Sequence, residues 1–130
     1  VKFNENSFDA VLGIEVIEHV EDQWNYVRQL MNLLKPGGLV LVTTPNITSW
    51  LSRSIFFFTG KFHQFNDSDL SYGHISPITE WELRLNFQYA NAQDIKTYSA
   101  GTLPTLYISG FNKFTIFNFL FIYVYKYITI

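Results

Sequence analysis

One stretch constrains this chain more than any other: the apolar run Ala10-Val11-Leu12-Gly13-Ile14, followed at once by Glu15, Glu18 and His19. A continuous apolar run suits a parallel strand covered on both faces, where alternating polarity is not needed. Three ionisable side chains directly after it stand where open α/β sheets take their ligands, at the carboxyl ends of strands. Asp22 is then placed to cap a helix over about Gln23 to Leu34. Its Trp24, Val27, Met31 and Leu34 recur every three or four residues and mark a buried stripe. Lys35-Pro36-Gly37-Gly38 ends that helix in a turn, because Pro36 cannot continue it and glycine permits a positive φ. Leu39 to Thr44 is a second apolar strand rich in β-branched residues. Two buried strands joined by a helix form a βαβ unit of right-handed sense, so the fold class expected is α/β.

Downstream, Trp50, Leu51, Ile55, Phe56 and Phe58 suggest a short helix closed by Gly60. Lys61 to Pro77 is a polar loop dotted with aromatics, holding His63, Asp67, Asp69, Tyr72 and His74. Ordered loops of that length in compact domains are often functional lids. Thr79 and Glu82 form a capping box for the next helix, with Ile78 stapled onto Leu83. Trp81 and Phe87 on that helix read as core. A short strand, Asp94 to Tyr98, follows the helix end near Ala90. Ile116 to Tyr125 is nearly all apolar and aromatic, yet shorter than the roughly 20 residues a membrane-spanning helix needs. Its composition favours a strand over Phe119–Tyr125, with an interfacial helix as the alternative.

Composition narrows the function classes. The 130 residues suffice for one domain, and the hydrophobic fraction of 48% and aromatic fraction of 18% exclude a disordered chain. A net charge of −2, with 15% charged residues, offers no broad nucleic-acid surface. The absence of cysteine excludes disulfides, thiolate metal sites and a cysteine nucleophile, and suits a reducing, cytoplasmic compartment. The polar start, Val1 to Asn6, lacks an apolar leader region and runs directly into a core strand, which reads as a fragment of a longer protein.

Taken together, Phe8-Asp9-Ala10-Val11 leading into Glu15-Val16-Ile17-Glu18-His19-Val20, then Leu34-Lys35-Pro36-Gly37-Gly38 and Thr43-Thr44-Pro45-Asn46, resembles the second half of a class I S-adenosylmethionine-dependent methyltransferase. The resemblance spans roughly Ser7 to Gln93 and is weak in the tail. It implies a Rossmann-like sheet in which Asp9–Ile14 is the fourth strand, Leu39–Thr44 the fifth, Asp94–Tyr98 the sixth and Phe119–Tyr125 the antiparallel seventh. The whole chain would then be the C-terminal part of a single methyltransferase domain. The family's glycine-rich cofactor loop has no counterpart here, since the seven glycines form no Gly-x-Gly. The cofactor-binding N-terminal half would lie upstream, and the fragment would be inactive alone.

The resemblance further implies S-adenosylmethionine as cofactor, touched by Ile14, Glu15 and Val16, and a small-molecule acceptor methylated on a hydroxyl. The Glu15, Glu18, His19 spacing, with His74 as the later histidine, resembles the ubiquinone-pathway and small-RNA 2′-O-methyltransferase groups. There it implies a divalent metal site of Glu15, Glu18, His19 and His74, for Mg²⁺, Mn²⁺ or Zn²⁺. Without a metal, Glu18 would cap or face solvent, and His19 would be a turn residue or the catalytic base. Asn46 and His74 are the substrate-binding candidates, Asn46 being otherwise an ordinary turn residue after Pro45. Trp50, Phe56, Phe57 and Phe58 either floor an acceptor pocket or pack in the core, and His63 reads as a loop surface residue. Two other readings stay open. One is a nucleotide-dependent α/β enzyme of another class, although the Tyr-x-x-x-Lys pair of short-chain dehydrogenases is missing; the other is a non-catalytic protein in membrane contact through its aromatic tail.

Overall fold

The computed structural model describes residues 3–100 and 120–126. Four strands make one sheet: β1 (Phe8–Ile14), β2 (Leu34–Pro45), β3 (Gln93–Ala100) and β4 (Leu120–Lys126), in the order β1-β2-β4-β3. β1 and β2 run parallel, with Ala10 opposite Leu39 and Ile14 opposite Thr43. β4 lies antiparallel between β2 and β3. The strand expected over Phe119–Tyr125 is therefore present as an inserted antiparallel strand; residues 116–119 fall outside the described residues.

α1 (Gln23–Leu33) links the parallel pair, as the stripe of apolar residues requires. Asp22 caps it, accepting from Asn25 N at 2.8 Å. Val27, Leu30, Met31 and Leu34 are buried, and Trp24 packs edge-to-face on Tyr89. The Lys35–Gly38 segment departs from expectation. It lies inside β2 as an irregularity, because Leu34 already pairs with Phe8 before the register resumes at Leu39. Gly37 supplies the positive φ there, at 80°.

α2 (Trp50–Thr59) and α3 (Glu80–Tyr89) complete the helices. Thr79 caps α3, accepting from Glu82 N at 3.1 Å, and Ile78 and Leu83 are both buried in the core cluster as the staple requires. α1 and α3 share that core with Val40 and Val42 of β2, around Phe87 and Ile17. Glu80 Oε1 accepts from Thr97 Oγ1 at 2.7 Å and ties α3 to β3.

Three expectations are corrected. β1 is not covered on both faces: it is an edge strand in this sheet, and Leu12 is 65% and Ile14 49% exposed, while Val11 packs on the core. Trp81 is exposed, because a spacing of six residues from Phe87 turns it well off that residue's helical face. The α2 aromatics Trp50, Phe56, Phe57 and Phe58 are exposed rather than core, since α2 turns only its Ser52 side fully inward.

Candidate active site

The chain reverses sharply at the carboxyl end of β1. Glu15 has a φ of 50°, a left-handed conformation that a non-glycine residue holds only when its surroundings fix it. Thr43 of β2 provides that fixing. Glu15 N donates to Thr43 O (3.2 Å) and Oγ1 (3.0 Å), and Thr43 Oγ1 donates to Glu15 Oε1 (2.9 Å). Ile14 and Val16, flanking it, stay partly open at the same rim.

A 3₁₀ turn, Ile17–His19, follows. It drives Ile17 into the core and carries Glu18 with it to full burial. Neither oxygen of Glu18 has a hydrogen-bonding partner among the described residues. A buried carboxylate in that state is costly unless a cation or proton compensates it. His19 Nε2 lies 3.9 Å from Glu18 Oε1. Burial raises the Glu15 carboxyl above its ordinary value of 4.5, and the neighbouring Glu18 raises it further, against the Thr43 hydrogen bond and His74. Burial also raises the Tyr26 phenol, again with Glu18 contributing.

The lid loop closes the site from the other side. Its backbone donates to Glu18 O from Ile75 N (3.1 Å) and Ser76 N (3.0 Å). The Gln23 carboxamide bridges the two segments, donating to Ile17 O (3.2 Å) and Ser76 O (2.8 Å). His19 Nδ1 sits 2.9 Å from Gly73 O, and His74 Nδ1 sits 2.8 Å from Gln64 O. A carbonyl can only accept, so each Nδ1 carries the proton and each neutral ring keeps its lone pair on Nε2. Gly73, at φ 83°, permits the approach: a Cβ there would stand 3.1 Å from His19 Nδ1. The two imidazoles meet edge-to-face at 4.9 Å.

One donor atom from each of Glu18, His19 and His74 lies within 4.8 Å of the others. A carboxylate and two imidazoles, each ring anchored through its far nitrogen, is a donor set that fits a divalent cation. Glu15 stands beside this trio rather than in it. Asn46 directly follows β2, its oxygen accepting from Thr48 N (3.0 Å) and Oγ1 (2.9 Å), which is the turn role. A cleft of about 330 Å³ opens beside His74, walled by Phe62, Phe65, Leu70, Ile75 and Pro77 with Lys61 and Asp67 at hand. Trp50 and Phe56–Phe58 do not line it. Thr43, Gly73, Gln23 and the Gln64 carbonyl escape sequence reasoning. Only Gly73, directly before His74, carried a signal.

The sequence profile of a family described as a methyltransferase domain matches residues 1–97. The ubiquinone biosynthesis O-methyltransferase of Ruegeria pomeroyi is 54% identical over 39 residues, 30% of this chain and 16% of that protein. The mitochondrial enzyme of the same name from Dictyostelium discoideum is 42% identical over 45 residues, 35% of this chain and 14% of its own length. The matches thus span about a sixth of these relatives. Among solved structures, an S-adenosylmethionine-dependent methyltransferase of Thermotoga maritima superposes with a TM-score of 0.68 at 16% identity, over 98% of this chain and 59% of that one. A phosphoethanolamine N-methyltransferase of Haemonchus contortus, solved with S-adenosylhomocysteine, superposes at 0.61 and 14% identity over 98% of this chain and 35% of its own. With the profile covering most of the chain and the α/β fold shared, this chain belongs to the class I S-adenosylmethionine-dependent methyltransferases.

Proposed function

We propose that this chain carries the acceptor side of a methyltransferase site that transfers a methyl group from S-adenosylmethionine to a hydroxyl of a small molecule. The observation that carries the reading is the buried Glu18 carboxylate, without a hydrogen-bond partner among the described residues, beside two imidazoles each held through Nδ1 by a backbone carbonyl. In this reading the β1-β2-β4-β3 order corresponds to strands four, five, seven and six of the family sheet. The open β1 edge is where further polypeptide would add the strands that cradle the cofactor.

Methyl transfer from a sulfonium is an in-line displacement, so the protein aligns the acceptor, excludes water and removes the hydroxyl proton. The donor would lie against the rim formed by Ile14, Glu15 and Val16. The acceptor would lie in the apolar cleft beside His74, with Asn46 directly after β2 as a further contact. Glu18, His19 and His74, with Glu15 alongside, would hold a divalent cation. When bound, such an ion lowers the acceptor hydroxyl pKa. In the ion-free form His19 Nε2 is the proton acceptor, and the Glu18 charge 3.9 Å away stabilises the resulting imidazolium.

The test combines metal binding with turnover. Mn²⁺ titrated into the chain and followed by electron paramagnetic resonance should bind saturably, and Glu18→Gln and His74→Ala should each abolish it. In a longer protein containing this chain, methyl transfer to a panel of small hydroxylated acceptors should fall with chelator and with His74→Ala. Absence of Mn²⁺, Mg²⁺ and Zn²⁺ binding, with turnover indifferent to chelator, would remove the metal and leave His19 as sole base. Absence of any hydroxyl methylation would reject the reading.

A further inference from the structure

Helix α2 has an aromatic face that no described residue covers. Ser52 faces inward, where its Oγ accepts from His63 N at 3.1 Å. On the other side Trp50 is 47%, Phe57 81% and Phe58 82% exposed, and Phe57 and Phe58 pack edge-to-face at 5.0 Å. Isolated exposed apolar residues are ordinary, but a contiguous aromatic group on one helix marks a docking surface.

Three further features select the occupant. No acidic residue occurs between Asn46 and Asn66, while Arg53 sits within the helix and Lys61 just beyond it. Lys61 pairs with Asp67 at 2.6 Å, but both are substantially exposed, and such surface pairs exchange partners at little cost. The exposed hydroxyls of α2 are already satisfied internally: Ser54 Oγ donates to Trp50 O (2.9 Å) and Thr59 Oγ1 to Ile55 O (2.8 Å). Moving this face out of water therefore strands few donors. Finally, the helix runs directly into the mouth of the apolar cleft. Gly60, Lys61 and Phe62 line that cleft, and Phe56 stacks on Phe62 at 4.5 Å.

Aromatic side chains backed by cations, on a helix with no acid, complement the headgroup region of an anionic bilayer. We propose that α2 docks this protein on an anionic lipid surface. Phe57 and Phe58 reach the acyl boundary, Trp50 sits at headgroup level, and Arg53 and Lys61 contact lipid phosphates. The cleft mouth then faces the bilayer. The surface is separate from the Glu18–His19–His74 trio, and its readout does not involve methyl transfer.

The test is co-sedimentation of the 130-residue chain with phosphatidylcholine vesicles, with and without phosphatidylglycerol. The chain should pellet with the mixed vesicles, less with phosphatidylcholine alone, and less again at high salt. Phe57→Glu combined with Phe58→Glu should reduce the bound fraction about tenfold or more while leaving the thermal midpoint unchanged, because both rings are exposed. A chain that stays in the supernatant with both vesicle types overturns the proposal. So does a double variant that pellets like the parent, which would place binding elsewhere in the chain. A parent that is dimeric in light scattering and monomeric as the double variant, without vesicle binding, would make this face an interface between copies and also overturn it.

Discussion

Glu18 is fully buried with no hydrogen-bond donor to its carboxylate among the described residues, and that state opposes folding. Replacing its charge with a neutral isostere should relieve the cost. Glu18→Gln is expected to stabilise the ion-free protein by an amount on the order of 1 kcal/mol, while abolishing the rise in thermal midpoint that Mn²⁺ gives the parent. Scanning calorimetry with and without the ion measures both. A second residue makes a pH prediction. Burial lowers the His63 imidazole below its usual 6.5, with Asp69 opposing the shift. The folded state therefore resists a proton that the unfolded chain accepts. The stability His63 contributes is complete above 6.5 and is lost as pH falls toward the folded value. Urea midpoints taken from about pH 7.5 to about pH 5 should fall, and His63→Gln should flatten that slope.

At the scale of elements, the site exists because the lid loop is clasped to the turn after β1, and Gln23 is the clasp's side-chain half. Gln23→Ala removes both bonds and should cost about 1–3 kcal/mol. It should also speed amide exchange at Ile75 and Ser76, whose N–H groups bond Glu18 O. Unchanged exchange there would show that the backbone bonds hold the loop unaided. The same contrast explains what was legible in the sequence. The Val27, Met31 and Leu34 stripe and the Asp22 and Thr79 caps follow from local periodicity and chemistry, the antiparallel placement of the last strand follows only from the family resemblance, and all are present. Glu18, His19 and His74 were found as residue types at suggestive positions, and the fold does bring them together. Gly73 is legible as the neighbour of His74, but the carbonyl anchors of the two imidazoles, Gly73 O and Gln64 O, are not, because a carbonyl carries no sequence identity and the contacts join residues far apart in the chain or across the loop. The α2 aromatics were misread for a geometric reason. Three consecutive phenylalanines on a helix spread over about 200° and cannot all face one core.

For the whole molecule, β1 presents an open flank and an apolar face through Leu12 and Ile14. Under the function proposed above, the rim made by Ile14, Glu15 and Val16 would form one wall of a cofactor site. S-adenosylmethionine titrated calorimetrically into this chain should show affinity far weaker than micromolar, and a longer protein that completes the sheet should recover it. Micromolar binding by the chain itself would place the cofactor cradle within these residues. The strand order has a different consequence, for how the molecule is made. Among the described residues β3 reaches the sheet only through β4, which follows it in the chain by some twenty residues. During synthesis β3 therefore leaves the ribosome before its pairing partner exists, and the slot between β2 and β3 stays vacant until β4 arrives. A premature stop ahead of Leu120 would thus cost two strands rather than one. Until that last strand is inserted, β2 has an unpaired edge open to the same edge of another nascent chain.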